Sequence, residues 1–288
     1  MPNIKLSTRR EILFMFLVLP GFIGLAVFFL VPFVTSLYMA MIDNPIGRNF
    51  VGFSHFTATF ENAAFRLAMG NTIHFMVMSV PVSMAIALAV ASMLHHVGGF
   101  GKNVLGIFFL LPLAVPSGSV VHFWNSMFGM NGMINGMFFR DAPIAWFNTD
   151  FSIYIVLLIF IWKSVGFNIV LYLAGLNLIP KEYYECAQIE GAGRVRQFFK
   201  ITLIYLAPTT FMVFLMSIVQ SFRAFREIFL LTGAHPHNSI YMLQHYMNNQ
   251  FAALNYQRLS AASYILTLGI AAIVLIMFYV QRRVMSYE

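Results

Sequence analysis

Six runs of apolar residues, at 12–41, 73–94, 104–127, 151–174, 201–222 and 261–280, make up about half of the chain. Each is near or above the length of about 20 mostly apolar residues that carries a helix across a bilayer, where every backbone N–H and C=O has to be bonded inside the segment. The pattern dictates an all-α, polytopic membrane protein with six transmembrane helices. Charged residues are 9% of the 288 and hydrophobic ones 60%, whereas soluble domains are about a quarter charged. An ordinary soluble enzyme is excluded. Too few polar residues remain for a separate aqueous domain, so residues 1–288 read as a single transmembrane domain.

Six spans put both termini on one side. The segments on that side carry Lys5, Arg9, Arg10, Lys102, Lys181, Arg194, Arg196, Lys200, Arg282 and Arg283, against Arg48, Arg66, Arg140 and Arg258 on the other. Basic residues favour the cytoplasm, so both termini are expected there. The first run follows Lys5, Arg9 and Arg10 as a signal peptide would, but it is far longer than a secretory core and offers no convincing small-x-small cleavage site. It is expected to be a retained helix bearing Pro20 and Pro32. The net charge of +7 is spread between the apolar runs, without the stripe or tail that nucleic acid requires. Cys186 is the lone cysteine, so internal disulfides and zinc clusters are excluded.

The connection at 179–208 is charged yet periodic. Pro180 suits a helix start, and Glu182 and Glu185 suit the positive end of its dipole. Gly191 and Gly193 interrupt that helix. A second begins near Arg194 and presents Val195, Phe198 and Phe199 on one face, suited to a partner's groove. The residues alone also allow a solvated loop whose acids only cap a helix.

Glu185, Ala187, Gly191, Ala192, Ile201 and Leu203 stand at the spacing of the EAA loop of binding-protein-dependent ABC importer permeases, and the chain resembles that family. It departs from the motif at Cys186, where Ala is usual, at Glu190, where Asp is usual, and at Ile204 in place of Pro; Pro208 stands where a further proline often occurs. The resemblance runs along nearly the whole chain, through Leu19-Pro20-Gly21, Ser36-Leu37-Tyr38, Asn71-Thr72-Ile73, Leu111-Pro112, Trp162 to Asn168, Ala174-Gly175-Leu176, Ile179-Pro180 and Leu231-Thr232-Gly233. It is similar to maltose- or glycerol-phosphate-type sugar permeases, in particular to the larger maltose permease subunit. The resemblance implies the type I ABC importer permease fold, a multi-pass place in a bacterial cytoplasmic membrane, and carbohydrate import by alternating access. It also implies a second permease subunit, two cytosolic ABC ATPase subunits and an extracytoplasmic solute-binding protein as partners. Glu185, Cys186, Ala187, Glu190, Gly191 and Ala192 would then form the ATPase-coupling site, Glu185 facing a basic residue of the ATPase and Gly191 making the turn. ATP and Mg would be bound by the ATPases, with no cofactor in this chain.

The residues are consistent with a chain that does no bond chemistry. Gly98-Gly99-Phe100-Gly101-Lys102-Asn103 lacks the glycine spacing and the Ser/Thr of a phosphate loop and reads as a tight turn. His95 and His96 face different directions, and His235 and His237 flank Pro236 without an acid or cysteine to complete a metal site; all four read as interfacial. No hydrolase constellation is visible. Acids lie almost wholly outside the spans, with Glu227 at the edge of the fifth, which argues against proton coupling. Lys163, Arg223 and Arg226 are the ionisable residues within or at the ends of spans.

A sugar path needs hydrogen-bonding groups and flat apolar faces on otherwise apolar spans. Lys163, Ser164, Phe167 and Asn168 on the fourth span and Ser217, Gln220 and Ser221 on the fifth meet that need. By resemblance to the maltose system, Lys163, Ser164, Phe167, Ser217, Gln220 and Ser221 are the candidate path residues. The bland reading, polar groups bonding between helices, stays open. So do a secondary carrier or channel working without ATPases, and a membrane enzyme or scaffold.

Overall fold

The structure is a computed structural model that describes residues 4–96 and 100–285. The chain divides into two compact units, Met1–Asn62 with Gln250–Gly269, and Ala63–Asn249 with Ile270–Glu288. In the first unit, α1 (Ile4–Leu25) passes through one π-helical turn, Ala26–Leu30, into α2 (Val31–Ala40). The π turn sits just before Pro32. A proline ring clashes with the carbonyl four residues back, and widening the preceding turn relieves that clash without ending the helix. Side chains along α1 and α2 such as Phe14, Phe22, Phe28 and Val34 are exposed, as a lipid-facing surface requires. A short α3 (Ser54–Glu61) follows. Phe33 and Tyr264 pack at 4.8 Å, and the tyrosine hydroxyl donates to the Phe33 carbonyl.

The second unit is built round one central helix. Its elements are α4 (Ala63–His96), α5 (Phe100–Ala114), α6 (Ser117–Phe128), α7 (Met133–Phe138), α8 (Ser152–Asn177), α9 (Lys181–Ile189), α10 (Arg194–Gln197), α11 (Leu203–Tyr205), α12 (Ala207–Thr232), α13 (Leu243–Ala252) and part of α14 (Tyr256–Met285). Helix α8 is largely apolar apart from Lys163, Ser164 and Asn168, and half of its span is buried against the other helices. One core joins Ala87 and Ala91 of α4, Val165, Ile169 and Tyr172 of α8, and Val213 of α12. Another joins Phe75, Ile153, Phe160, Ala224 and Ile228. Gly166 makes the tightest approach, since a Cβ there would lie 1.8 Å from the Phe109 carbonyl oxygen of α5.

Four helical stretches are long and apolar enough to cross a membrane: Leu13–Ala40, Ala63–His95, Ser152–Asn177 and Tyr256–Arg283. The expected third and fifth runs are instead bent pairs, Gly106–Ala114 with Ser117–Phe138 at 98° and Arg194–Tyr205 with Ala207–Thr232 at 69°. The described chain therefore holds four spans, or up to six if each bent pair is one. Proline explains both bends. Val115 precedes Pro116 and is steered out of the helical region, so α5 stops at Ala114 and α6 restarts at Ser117. Pro208 cannot donate to the preceding turn, and α12 restarts around it. Of the expected tight turn from Gly98 to Asn103, residues 100–103 are instead helical, forming the start of α5, while Gly98 and Gly99 lie outside the described residues, as does the His96 side chain.

Candidate functional site

The connection between α8 and α12 forms a closed knob. Helix α9 starts directly after Pro180, with Glu182 in its first turn. It ends at Ile189, and the turn after it is made at Gly191, whose φ of +75° only glycine adopts cheaply. The Gly191 N–H donates to Gln188 O at 3.0 Å and the Ala192 N–H to Ala187 O at 2.8 Å, the paired bonds of a Schellman turn. Gln197 Nε2 donates to Ala192 O at 2.7 Å, Tyr184 and Thr202 share a hydroxyl bond at 2.9 Å, and Tyr183 stacks on Tyr205 at 4.9 Å. These contacts tie α9 and the turn after it to α10, to the π-helical turn Phe198–Thr202 and to α11. Glu185, Cys186, Glu190 and Gly191 are exposed on this knob, while Ala187 and Ala192 are half-buried in its turn. Ile189 at 87%, Val195 at 73% and Phe199 at 60% exposure leave an apolar surface with nothing over it, whereas Phe198 is half-buried.

The six path candidates are not gathered into one pocket. Ser164 and Ser221 are buried and donate back to their own helices, to Phe160 O and Ile218 O, both at 2.7 Å. Ser217 accepts from Asn168 Nδ2 at 2.9 Å, which ties α12 to α8. Phe167 and Gln220 are half-buried. Lys163 is held by an ion pair with Glu227 of α12, and its Nζ also donates to Ser117 Oγ at 3.1 Å. Ser117 Oγ in turn donates to Glu227 Oε1 at 2.8 Å. Three helices thus meet in one polar junction at the α5–α6 break. Beside it, Trp162 stacks on Phe123 at 6.1 Å and meets Trp124 edge-on at 5.8 Å. Arg223 and Arg226 of α12 are exposed.

Sequence reasoning marked Lys163 and Glu227 separately but did not pair them, and it missed Ser117. Opposite charges in two otherwise apolar spans were the available signal. Of the histidines, His237 caps the short turn Asn238–Ile240, and it lies 4.0 Å from Asp150. Among the described residues no group of three or more His, Cys, Asp or Glu is placed to hold a metal ion.

A central helix half buried by its neighbours, two bent spans and a hydrogen-bonded knob between spans define a multi-pass membrane protein. The family described as the binding-protein-dependent transport system inner membrane component matches residues 81–285, and the chain belongs to it. The sn-glycerol-3-phosphate transport system permease protein UgpA of Agrobacterium fabrum is 30% identical over 96% of this chain and 97% of its own. The probable ABC transporter permease protein YesP of Bacillus subtilis is 26% identical over 93% and 90%, and the sulfoquinovosyl glycerol transport system permease protein SmoG of Agrobacterium fabrum 28% over 84% and 80%. In fold, the chain matches a crystal structure of a bacterial ABC transporter involved in the import of the acidic polysaccharide alginate, with a TM-score of 0.84 at 22% identity over 96% of this chain and 97% of that one. The chain is a permease-type membrane protein of an ABC transport system, related to permeases of carbohydrate import; its family is one of transporters, not catalysts.

Proposed function

We propose that the chain is one of two permease subunits of a bacterial ATP-driven importer of a mono- or oligosaccharide or related solute, of the maltose or glycerol-phosphate type and resembling the larger maltose permease subunit. It crosses the cytoplasmic membrane six times with both termini in the cytoplasm. Two cytosolic ATPases bind ATP and Mg, an external binding protein delivers the solute, and ATP-driven closure of the ATPases turns the path outward. Residues 179–208 dock on an ATPase through Glu185, Cys186, Ala187, Glu190, Gly191 and Ala192. Phe167, Gln220 and Lys163 offer the path its side chains, while Ser164, Ser217 and Ser221 serve it by fixing the helices.

The observation that carries this reading is the knob: a turn closed by its own hydrogen bonds, bearing exposed Ile189, Val195 and Phe199, and joined by α11 to α12 across the 69° bend. A solvated loop has no need of an uncovered apolar face on a rigid support. Co-expression with the genomic neighbours and purification through a tag on this chain tests it. An ATPase and a second permease should co-elute, and Glu185→Ala or Gly191→Ala should weaken the ATPase's retention or its coupling. Alanine at Gly191 costs about 1–2 kcal/mol of backbone strain in the turn. If the chain purifies alone and moves solute in liposomes without ATP, a secondary carrier is the better account.

A further inference from the structure

Helices α8 and α12 are tied at two places of different character. Asn168 and Ser217 form one tie, with neither residue exposed at all. Lys163 and Glu227 form the other, with 23% of the lysine side chain and 9% of the glutamate open. Glu227 lies 10 residues beyond Ser217, roughly 15 Å along the helix. It lies 21 residues beyond Leu206, where α12 joins the knob, roughly 30 Å. Helix α12 is thus one helix of 26 residues whose near end meets the exposed knob across the 69° bend. Its middle is held by a fully buried hydrogen bond, and its far end is held by a charge pair that stays partly exposed.

Such an arrangement has a moving part. A neutral bond with no solvent access has no other partner to exchange with, so it acts as a pivot. A partly exposed charge pair, which the importer reading sets beside the solute path, separates more readily, because water in the path solvates the parted ions. Ser117 extends the far tie to the start of α6, at the 98° break, so release at Glu227 also removes the polar tie between the broken span and α12. We propose that Lys163, Glu227 and Ser117 form an ion-pair latch: it holds the far end of α12 on α8 and α6 at rest, and opens as the knob end of α12 is moved. The proposal rests on the importer reading above. Lys163 and Glu227 act in it as positioning residues.

The test uses the complete complex in nanodiscs, with ATP hydrolysis measured with and without the binding protein. Lys163→Met combined with Glu227→Gln leaves no orphan charge, so the doubly substituted complex should assemble and melt like wild type. Without the latch, the resting state loses population. Hydrolysis in the absence of binding protein should rise about five-fold or more, the lower end of a usual coupling between sites. The reversed pair, Lys163→Glu with Glu227→Lys, should bring that rate back toward wild type. A double variant that is both as stable and as tightly coupled as wild type overturns the latch and leaves a purely structural pair. So does a reversed pair that assembles but keeps the raised rate. If wild-type hydrolysis does not respond to the binding protein at all, the importer reading fails instead.

Discussion

His245 on α13 has no exposed surface. Its Nδ1 accepts from the Met242 N–H at 3.2 Å, its Nε2 has no partner, and its ring stands edge-on to Phe225 at 4.7 Å. Burial first, and the nearby His235 second, push its pKa from 6.5 down to about 4. Between those values the unfolded chain binds a proton that the folded chain refuses, so stability rises with pH across that window. The contribution is complete above pH 6.5 and falls away toward pH 4, by about 2 kcal/mol at pH 5 and about 3 at the limit. Melting of the detergent-purified protein should therefore drop between pH 7 and pH 5, and His245→Phe should flatten that drop. An unchanged slope in the variant would assign the acid sensitivity to other groups. At this scale the sequence was a partial guide. It showed His245 as one of eight histidines, but the rings of Phe225 and Phe229 that stand against it come from α12. In the same way Lys163 and Glu227 each stood out as charges in apolar runs, yet their pairing spans 64 residues and has no local signature.

Helices α5 and α8 touch backbone to backbone at Gly166, and Gly175 is nearly as close to Thr209, where a Cβ would lie 2.4 Å from Oγ1. Small residues at crossings are what allow membrane helices to gain from packing. Gly166→Ala has to push α5 off α8, because the obstacle is a carbonyl rather than a flexible side chain. The expected cost is about 1–3 kcal/mol or more, read as a lowered melting temperature or loss of the monodisperse peak. Gly106→Ala on α5, with nothing within 4 Å of the added carbon, should leave both unchanged. If the two variants behave alike, the close crossing does not set stability. Apolar run length revealed that these helices exist, and Gly191 and Arg194 marked where α9 ends and α10 begins. The 98° and 69° bends were not legible, because hydropathy counts residues and carries no record of direction. Pro116 and Pro208 were the visible cues, but a proline in an apolar run is compatible with a kink, a break or the π turn that Pro32 actually follows.

For the whole molecule, membership of the permease family was readable from motif order along the chain, and the division into two compact units was not, since Gln250–Gly269 joins Met1–Asn62 from the far end of the sequence. Sidedness is the global property on which the proposed function depends, because the knob can meet an ATPase only from the cytoplasm. The chain contains its own reporter. Cys186 is its single cysteine, free and exposed on α9 at the centre of the knob. A membrane-impermeant maleimide should label it in inverted membrane vesicles and leave it untouched when added to spheroplasts. Assembly with the ATPase should slow the labelling, since the same surface is then covered, and nucleotide that drives the ATPases apart or together should change the rate. Labelling from the external face would reverse the orientation that the distribution of basic residues implies and place the uncovered Ile189, Val195 and Phe199 where no ATPase can reach them. The same experiment therefore decides between a coupling surface and an external docking face, without altering a residue.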